Sequence, residues 1–393
     1  MGILGTIQDK ILGRGPTGPN EEQILSALRA VKDPDLHKDI VTLGFVRNIV
    51  VKDGAVSLEV NLTTPACPVK EKLKAEVEGI LRDLPGVRGV TVTMTATTRG
   101  MPVNTTHPVS QALGRVRNII AVASGKGGVG KSTTAVNLAY ALAANGAKVG
   151  LLDADVYGPS IPLMTRPSAP SGSATNMVSP PDAGGVKVIS IGLFNPGSKA
   201  TILRGPMAAS VIKQFLSQVD WGELDYLVID YPPGTGDIQL TISQTAPITG
   251  AVIVTTPQEV ALIDVRKAIS MFETLKVPVL GVVETMSWFT CDGCTKKHFI
   301  FREGGGARVA AEHGVAFLGG IPMEPALVSA SDKGEPLTKV QPAHPASLAF
   351  KDVAGAVAAQ VSILHEQNKD ALTTFSLEWK SDQEFGQPAG GQA

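Results

Sequence analysis

The feature that most restricts the possible folds is a phosphate-binding loop at residues 125–133, which read GKGGVGKST. Its glycines let the backbone wrap around a polyphosphate, Lys131 offers a positive charge to the β and γ phosphates, and the Ser132 hydroxyl can bind Mg²⁺. An apolar run, residues 118–124, precedes the loop, and helical spacing follows it over residues 133–145. The sequence therefore predicts a nucleotide site in a strand–loop–helix unit. The loop residues expected at the nucleotide are Gly125, Lys126, Gly127, Gly128, Val129, Gly130, Lys131, Ser132 and Thr133.

A second lysine, Lys126, stands too early in the loop to be the lysine of the general P-loop pattern. Its amino group can reach a phosphate across a dimer interface, as an arginine finger does in trans, or it can be a solvated loop lysine. With Lys126 the loop resembles that of the deviant Walker A ATPases, which dimerise around two nucleotides. This group includes nitrogenase iron protein, the Min and Par partitioning ATPases and the Mrp/ApbC iron–sulfur carriers. The resemblance implies ATP, Mg²⁺ and a homodimer.

Composition excludes several classes of partner. A net charge of −1 over 393 residues gives no overall field to attract nucleic acid or an anionic membrane. The longest apolar runs, such as residues 277–283, have the length of a strand, so no membrane span is expected. Three cysteines, two of them in one CxxC, cannot form a disulfide framework and indicate a reducing compartment. We therefore expect a cytoplasmic protein that binds neither nucleic acid nor membrane.

The chain is expected to divide into a small α/β domain at residues 20–97, a linker at 98–115, an ATPase domain at 116–366 and a polar tail at 367–393. The small domain has helical patterns at 21–31 and 69–84 and strand patterns at 41–51, 55–62 and 90–95. After it, seven apolar runs alternate with helical stretches, which predicts a P-loop NTPase fold: a mostly parallel sheet flanked by helices on both faces. The seven runs are residues 119–124, 148–153, 186–191, 226–230, 251–255, 277–283 and 316–321.

Two acidic segments are expected to complete the nucleotide site, because ligands bind at the carboxyl ends of strands in open α/β sheets. Asp153 and Asp155 end one strand; one carboxylate can help to hold Mg²⁺ while the other positions the attacking water, or either can be a capping or turn aspartate. The resemblance to deviant Walker A proteins assigns the water to Asp155. Asp230 ends another strand as a Walker B carboxylate, and Gly234 follows it in a turn whose N–H can contact the γ-phosphate.

The CxxC at Cys291 and Cys294 can hold one metal from both thiolates, because the turn between the cysteines is tight. Iron–sulfur clusters and structural zinc generally need four ligands, which two symmetry-related pairs supply in a dimer. A bridging [4Fe–4S] cluster meets that count. A bridging zinc, a redox dithiol and an inert turn are the alternatives. His298, four residues beyond Cys294, is either a further ligand or simply exposed.

Seven segments occur in the order found in Mrp/ApbC proteins, which the ATPase region resembles over about residues 115–365. The resemblance implies an ATPase that carries an iron–sulfur cluster between subunits and passes it to apoproteins, with a cluster-assembly scaffold as a further partner, and places Pro257 at the nucleotide. The segments are GKGGVGKST, DADVYGPSIP at 153–162, RGPM at 204–207, DYPPGTGD at 230–237, TTPQEVAL at 255–262, MSWF with CDGC at 286–294, and FLGGIP at 317–322.

The N-terminal region, with DPDLHKDIVTLGFV at 33–46 and TTPACPVK at 63–70, is similar to the small SufT/PaaD-type domain. Its Cys67 matches the cysteine of that domain, so it has a role in cluster handling or partner contact, or it is a small buried cysteine. The sequence departs from the Mrp/ApbC pattern in three places. Asp292-Gly293 replaces a proline within the CxxC, Thr285 replaces an asparagine, and Tyr231 replaces a methionine. The first departure concerns cluster stability and the second concerns adenine specificity.

Two other functions are open at this point. A Min/Par-like positioning ATPase is expected to carry a basic amphipathic C-terminal helix or a basic surface, whereas residues 373–393 are polar and not basic, and that function leaves the CxxC unused. A reductase like nitrogenase iron protein binds its cluster through cysteines at separate positions, which the CxxC does not match.

Overall fold

The computed structural model describes residues 18–98, 100, 112–172, 177–194 and 205–373, with side chains described as far as residue 368. Most of the predicted linker, Arg204 of the RGPM segment and the tail beyond residue 373 therefore lie outside the described residues. Within them, a three-stranded sheet forms near the N-terminus and a seven-stranded sheet forms the ATPase region.

The N-terminal unit packs two helices against a mixed sheet of order β1-β2-β3, in which β1 is antiparallel and β3 parallel to β2. The predicted strand at 41–51 begins only at Val46, because the Asp39 carboxylate accepts the Thr42 backbone N–H at 2.8 Å and turns the chain first. The other predicted elements agree to within three residues. The elements are α1 (Glu21–Leu28), β1 (Val46–Lys52), β2 (Ala55–Leu62), α2 (Lys70–Arg82) and β3 (Gly89–Ala96).

All seven predicted runs of the ATPase region are strands of one parallel sheet, of order β14-β11-β10-β4-β9-β5-β8. The side chains of the central strands β4, β9 and β10 are almost all buried on both faces, which is why these runs are apolar rather than alternating. This confirms the predicted fold class. The strands are β4 (Val116–Ser124), β5 (Val149–Asp153), β8 (Val186–Ile189), β9 (Leu224–Asp230), β10 (Gly250–Thr255), β11 (Val279–Glu284) and β14 (Phe317–Gly320).

Helices cover both faces of this sheet and form two hydrophobic cores. One core contains α3, α4, α9, α10 and α11, and the other contains α5, α6, α7 and α8. Two short hairpins, β6–β7 and β12–β13, lie outside the main sheet. These elements are α3 (Lys131–Ala144), α4 (Ile161–Thr165), β6 (Ser171–Gly172), β7 (Val178–Ser179), α5 (Gly205–Gln218), α6 (Asp237–Thr245), α7 (Glu259–Thr274), β12 (Phe289–Thr290), β13 (Lys297–His298), α8 (Gly305–Glu312), α9 (Pro325–Lys333), α10 (Leu337–Val340) and α11 (Pro345–Thr373).

Helix α11 differs from the sequence expectation, because residues 345–368 are long and apolar enough to cross a membrane by length and composition. Half of the most apolar stretch is buried inside the protein, as in the core helix of a globular domain. Its buried residues, including Phe350 and Val357, belong to the core that α3 also lines. The N-terminal unit packs against the same helix, where the Thr63 and Ser362 hydroxyls lie 2.9 Å apart.

Candidate nucleotide and metal site

The P-loop joins the end of β4 to the start of α3 at the carboxyl edge of the sheet. Gly128 and Gly130 both have φ of +81°, in the left-handed region that a side chain disfavours. Gly125 has no room for a side chain, since a Cβ there would lie 2.3 Å from the Asp264 carbonyl carbon in α7. The glycines are therefore required by the path of the loop and by the helix that packs on it.

Lys131 is almost fully buried and reaches across the sheet to the two neighbouring strand ends. Its Nζ donates a hydrogen bond of 2.6 Å to Asp230 and lies 3.9 Å from an Asp155 carboxylate oxygen. The Ser132 hydroxyl is 3.2 Å from the same nitrogen. The structure thus brings the predicted P-loop lysine, the Walker B carboxylate and Asp155 together around one point.

Asp153 and Asp155 occupy different environments although they are two residues apart. Asp153 is fully buried, and its carboxylate accepts hydrogen bonds from the Asp155 backbone N–H at 3.1 Å and the Ser190 hydroxyl at 2.9 Å. Those are the bonds of an aspartate that shapes a turn. The Asp155 side chain is 17% exposed, which leaves it accessible from the site that Lys131 faces.

Burial raises the pKa of all three carboxyls, and the neighbouring Asp230 charge raises the pKa of Asp153 further. Lys131 opposes the shift at each of them. The nucleotide-free site therefore holds a proton more tightly than the unfolded chain does.

Asp153→Asn is expected to make the stability of the nucleotide-free protein less dependent on pH. The folded-state pKa of Asp153 lies above the ordinary value of 3.8. The stabilising contribution of this carboxyl to the free energy of unfolding is therefore fully present below pH 3.8 and is lost as the pH rises through the raised pKa. We expect Asp153→Asn to raise the melting temperature relative to wild type at pH 8 and to have less effect at pH 5. Calorimetry of the nucleotide-free protein measures this, with the exposed Asp83→Asn as the control. An equal effect at both pH values would contradict it.

The remaining predicted loop groups are available to different degrees. Lys126 is half-buried, and its ammonium makes no hydrogen bond or ion pair with any residue that the structure describes. The Gly234 N–H donates to the Ser124 carbonyl at 3.1 Å, so its predicted bond to a γ-phosphate requires this contact to break. Pro257 is buried against α8, where its carbonyl oxygen leaves no room for a side chain at Gly305. It does not line the cavity beside the P-loop.

That cavity has a volume of about 360 Å³, within the range of small-molecule sites. It opens from Gly130 and Thr133 toward the ends of β11 and β14, and most of its wall is apolar. The segments at 286–289 and 317–322 stand out as motifs in the sequence, but the motifs alone do not assign these residues to the nucleotide. Their signal was position, because the first segment follows the carboxyl end of β11 and the second contains β14 and its carboxyl end. The lining residues that it missed include Met286, Pro322, Met323, Glu324 and Leu327.

The two cysteines of the CxxC lie in the turn of the β12–β13 hairpin, which follows β11. The Cys291 N–H donates to the Lys296 carbonyl at 3.0 Å, and the Thr295 N–H donates to the Cys291 carbonyl at 2.8 Å. The sulfur atoms of Cys291 and Cys294 and a ring nitrogen of His298 all lie within 4.8 Å of one another. One subunit therefore presents three potential metal ligands together.

Backbone N–H groups favour the thiolate form of Cys291. The N–H groups of Gly293 and Cys294 lower the pKa of its thiol, and it is half-buried whereas Cys294 is exposed. Cys67 is in a different setting: it lies between the N-terminal unit and α11, and burial raises its pKa to about 11. The structure thus places Cys291 and Cys294 together in one hairpin turn and Cys67 apart from them, at the N-terminal unit.

Both parts of the chain match known protein families. Residues 115–358 match the family model described as NUBPL iron-transfer P-loop NTPase, and residues 21–94 match the one described as iron-sulfur cluster assembly protein. An iron-sulfur cluster carrier protein of Synechocystis is 44% identical over 87% of this chain and 98% of its own length. The chloroplastic Fe-S cluster assembly factor HCF101 of Arabidopsis thaliana is also 44% identical, over 92% of this chain and 68% of its own length.

One solved structure extends the likeness to three dimensions. A nucleotide-binding protein of Archaeoglobus fulgidus, in complex with ADP and with cobalt found, is 40% identical with a TM-score of 0.54, over 63% of this chain and 96% of its own. The resemblance seen in the sequence motifs is thereby confirmed. The chain belongs to the NUBPL-type iron-transfer P-loop NTPases, and an iron–sulfur cluster assembly domain precedes its NTPase domain.

Proposed function

We propose that this protein is an ATP-hydrolysing iron–sulfur cluster carrier that acts as a homodimer. The observation that carries the proposal is the position of the paired thiols. Cys291 and Cys294 lie on a hairpin that leaves the sheet directly after β11, and Thr285, the first residue past that strand, contacts the P-loop. A cargo site and a nucleotide site therefore share one edge of the sheet. The names of the relatives, which are cluster carriers and assembly factors, support the same function.

The cargo is a [4Fe–4S] cluster, which we place between two subunits. One CxxC supplies two thiolates, and a cluster of this kind needs four ligands, so two hairpins related by a two-fold axis complete the set. Cys291 is half-buried and Cys294 is exposed, which suits a cluster that has to be passed on, since a buried cluster could not reach an acceptor. The acceptors are apo iron–sulfur proteins, and an assembly scaffold supplies the cluster. A reducing compartment such as the cytoplasm keeps the thiols free.

The nucleotide is ATP with Mg²⁺. Lys131 exchanges its bond to Asp230 for bonds to the phosphates, and the cavity beside Gly130 receives the base and ribose. Asp230 suits a water-mediated contact to Mg²⁺, because its Oδ2 is buried without a hydrogen-bond partner among the described residues. Ser132 would bind the ion directly, and bound Mg²⁺ would neutralise charge that develops on the phosphates. Asp155 then positions the attacking water.

Lys126→Ala is expected to leave ATP affinity within about twofold and to slow hydrolysis by about a hundredfold, less than the roughly 10³–10⁵-fold that an arginine finger supplies. The reason is that Lys126 has no partner within its own described chain and acts on the phosphate of the other subunit. Turnover per chain should rise with wild-type concentration as dimers form. The exposed Lys267→Ala, whose side chain pairs with Asp264 at 3.1 Å, is the control. Normal hydrolysis by the Lys126 variant would refute the trans role.

Cluster transfer tests the function itself. The reconstituted dimer is mixed with an apo [4Fe–4S] dehydratase, whose activity returns only when it receives a cluster, in the presence of an iron chelator. We expect activity to return faster than with free iron and sulfide. Recovery no faster than with free ions would show that the bound iron is not cargo.

A further inference from the structure

Two adjacent side chains connect the nucleotide site to the segment that carries the cysteines. We define residues 286–304, between β11 and α8, as the Cys segment. Glu284 and Thr285 stand directly before it, at the carboxyl end of β11. Thr285 also lines the cavity proposed for the base and ribose, whereas Glu284 does not, and both are buried, with exposures of 6% for Thr285 and 1% for Glu284. A buried carboxylate and a buried hydroxyl each need specific partners.

Thr285 holds the P-loop. Its hydroxyl lies 2.6 Å from the Val129 carbonyl oxygen and 2.9 Å from the Thr255 carbonyl oxygen, and its methyl group faces Gly130. These contacts join the last strand before the Cys segment to the loop that wraps the phosphates. Because the hydroxyl hydrogen is shared between two backbone carbonyls, it cannot also be donated to a nucleobase. Thr285, which stands where the Mrp/ApbC pattern has an asparagine, thus connects the end of β11 to the P-loop in this chain.

Glu284 holds both ends of the Cys segment. One carboxylate oxygen accepts from the Ser287 hydroxyl, and the other accepts the Gly306 backbone N–H at 2.6 Å in the first turn of α8. The positive end of that helix dipole favours the carboxylate. The Ser287 N–H also donates to the Ile321 carbonyl at 3.0 Å, so the base of the segment is fixed to β14 as well.

We propose that Thr285 and Glu284 are positioning residues that transmit the state of the P-loop to the Cys segment, and so change the accessibility of Cys291 and Cys294 when nucleotide binds. The path is continuous: Val129 to the Thr285 side chain, one peptide bond to Glu284, and its carboxylate to Ser287 and Gly306. When the P-loop closes around the phosphates, the Val129 carbonyl shifts and moves Thr285. The start of the Cys segment then moves relative to its other end, which is held at α8. The inference deepens the proposed function, because it says how nucleotide and cargo affect each other.

The test measures thiol alkylation in the cluster-free full-length chain. A Cys67→Ser background leaves Cys291 and Cys294 as the two cysteines, because the sequence has three. Maleimide labelling rates are compared with and without Mg-ADP, at concentrations where sedimentation shows a monomer, so that dimerisation does not shield the thiols. We expect nucleotide to change the rate by about fivefold, the lower end of typical coupling between sites.

Thr285→Val removes the hydroxyl but keeps the shape, and is expected to abolish this response even at an ADP concentration that saturates the variant. Thr285→Ser restores the hydroxyl and should restore the response, which separates a positioning role from general damage to the fold. Thr290→Val in the same hairpin is the matched control. A full response in Thr285→Val, no response in wild type, or failure of the serine variant to respond would overturn the proposal. Since no cluster is present, failure of cluster carriage leaves this result unaffected.

Discussion

Replacing both Cys291 and Cys294 with serine is expected to eliminate bound iron and acid-labile sulfide after anaerobic reconstitution. Wild type should hold about four of each per dimer, because four thiolates from two hairpins meet the ligand count of one [4Fe–4S] cluster. Serine keeps the size of each side chain but is a poor ligand for iron. The hairpin is held by backbone bonds at Cys291, which do not involve sulfur, so the fold and nucleotide affinity should persist.

Two control variants make this result specific. Cys67→Ser should retain the full cluster, since Cys67 lies at the N-terminal unit and not among the three clustered ligand groups. His298→Ala should also retain the cluster, because the four thiolates alone hold it. Loss of iron from this variant would show that the ligand set includes the imidazole. Zinc in place of iron, or equal iron in wild type and the double variant, would leave an NTPase whose cysteines serve structure or redox chemistry.

The fold was predictable where local sequence and tertiary environment impose the same requirement. Each central strand is buried on both faces, so its apolar run identified it without knowledge of its neighbours. Helix α11 was missed because its residues are apolar over much of the surface, which removes the one-sided pattern of a surface helix. The hairpin strands β12 and β13 are two residues long, which is too short for a periodic signal.

The candidate site was predictable as a set of residues but not as a set of contacts. Lys131, Asp155 and Asp230 meet as expected, because strand ends gather at one edge of a parallel sheet. The distinct setting of Asp153 depends on Ser190, 37 residues away. The bond from Thr285 to Val129 spans 156 residues and exists only because β11 and β4 both flank β10. Such contacts follow from strand order, which the motifs do not encode.

Lys131→Ala is expected to weaken ATP binding at least about a hundredfold, because it removes charge-assisted bonds of about 1.5–3 kcal/mol each to the phosphate oxygens. It should also destabilise the nucleotide-free fold. Asp230 is fully buried, and its 2.6 Å bond to Lys131 is its salt bridge in the described structure. Removing one partner of a buried ion pair costs on the order of 3 kcal/mol. Isothermal titration and chemical denaturation measure the two effects separately.

The two roles of Lys131 can be separated with Lys131→Met/Asp230→Asn, which removes both charges of the pair. This double variant should recover most of the free energy of unfolding, because neutral groups of similar size replace a buried charge that had lost its partner. It should not recover ATP binding, since the phosphates still lack their ammonium. The destabilisation in Lys131→Ala should also shrink toward acidic pH, where the raised pKa lets Asp230 take up a proton and lose its charge. Recovery of ATP affinity in the double variant would mean that the lysine acts on the nucleotide only by neutralising Asp230, and the phosphate contact assigned to it would be wrong.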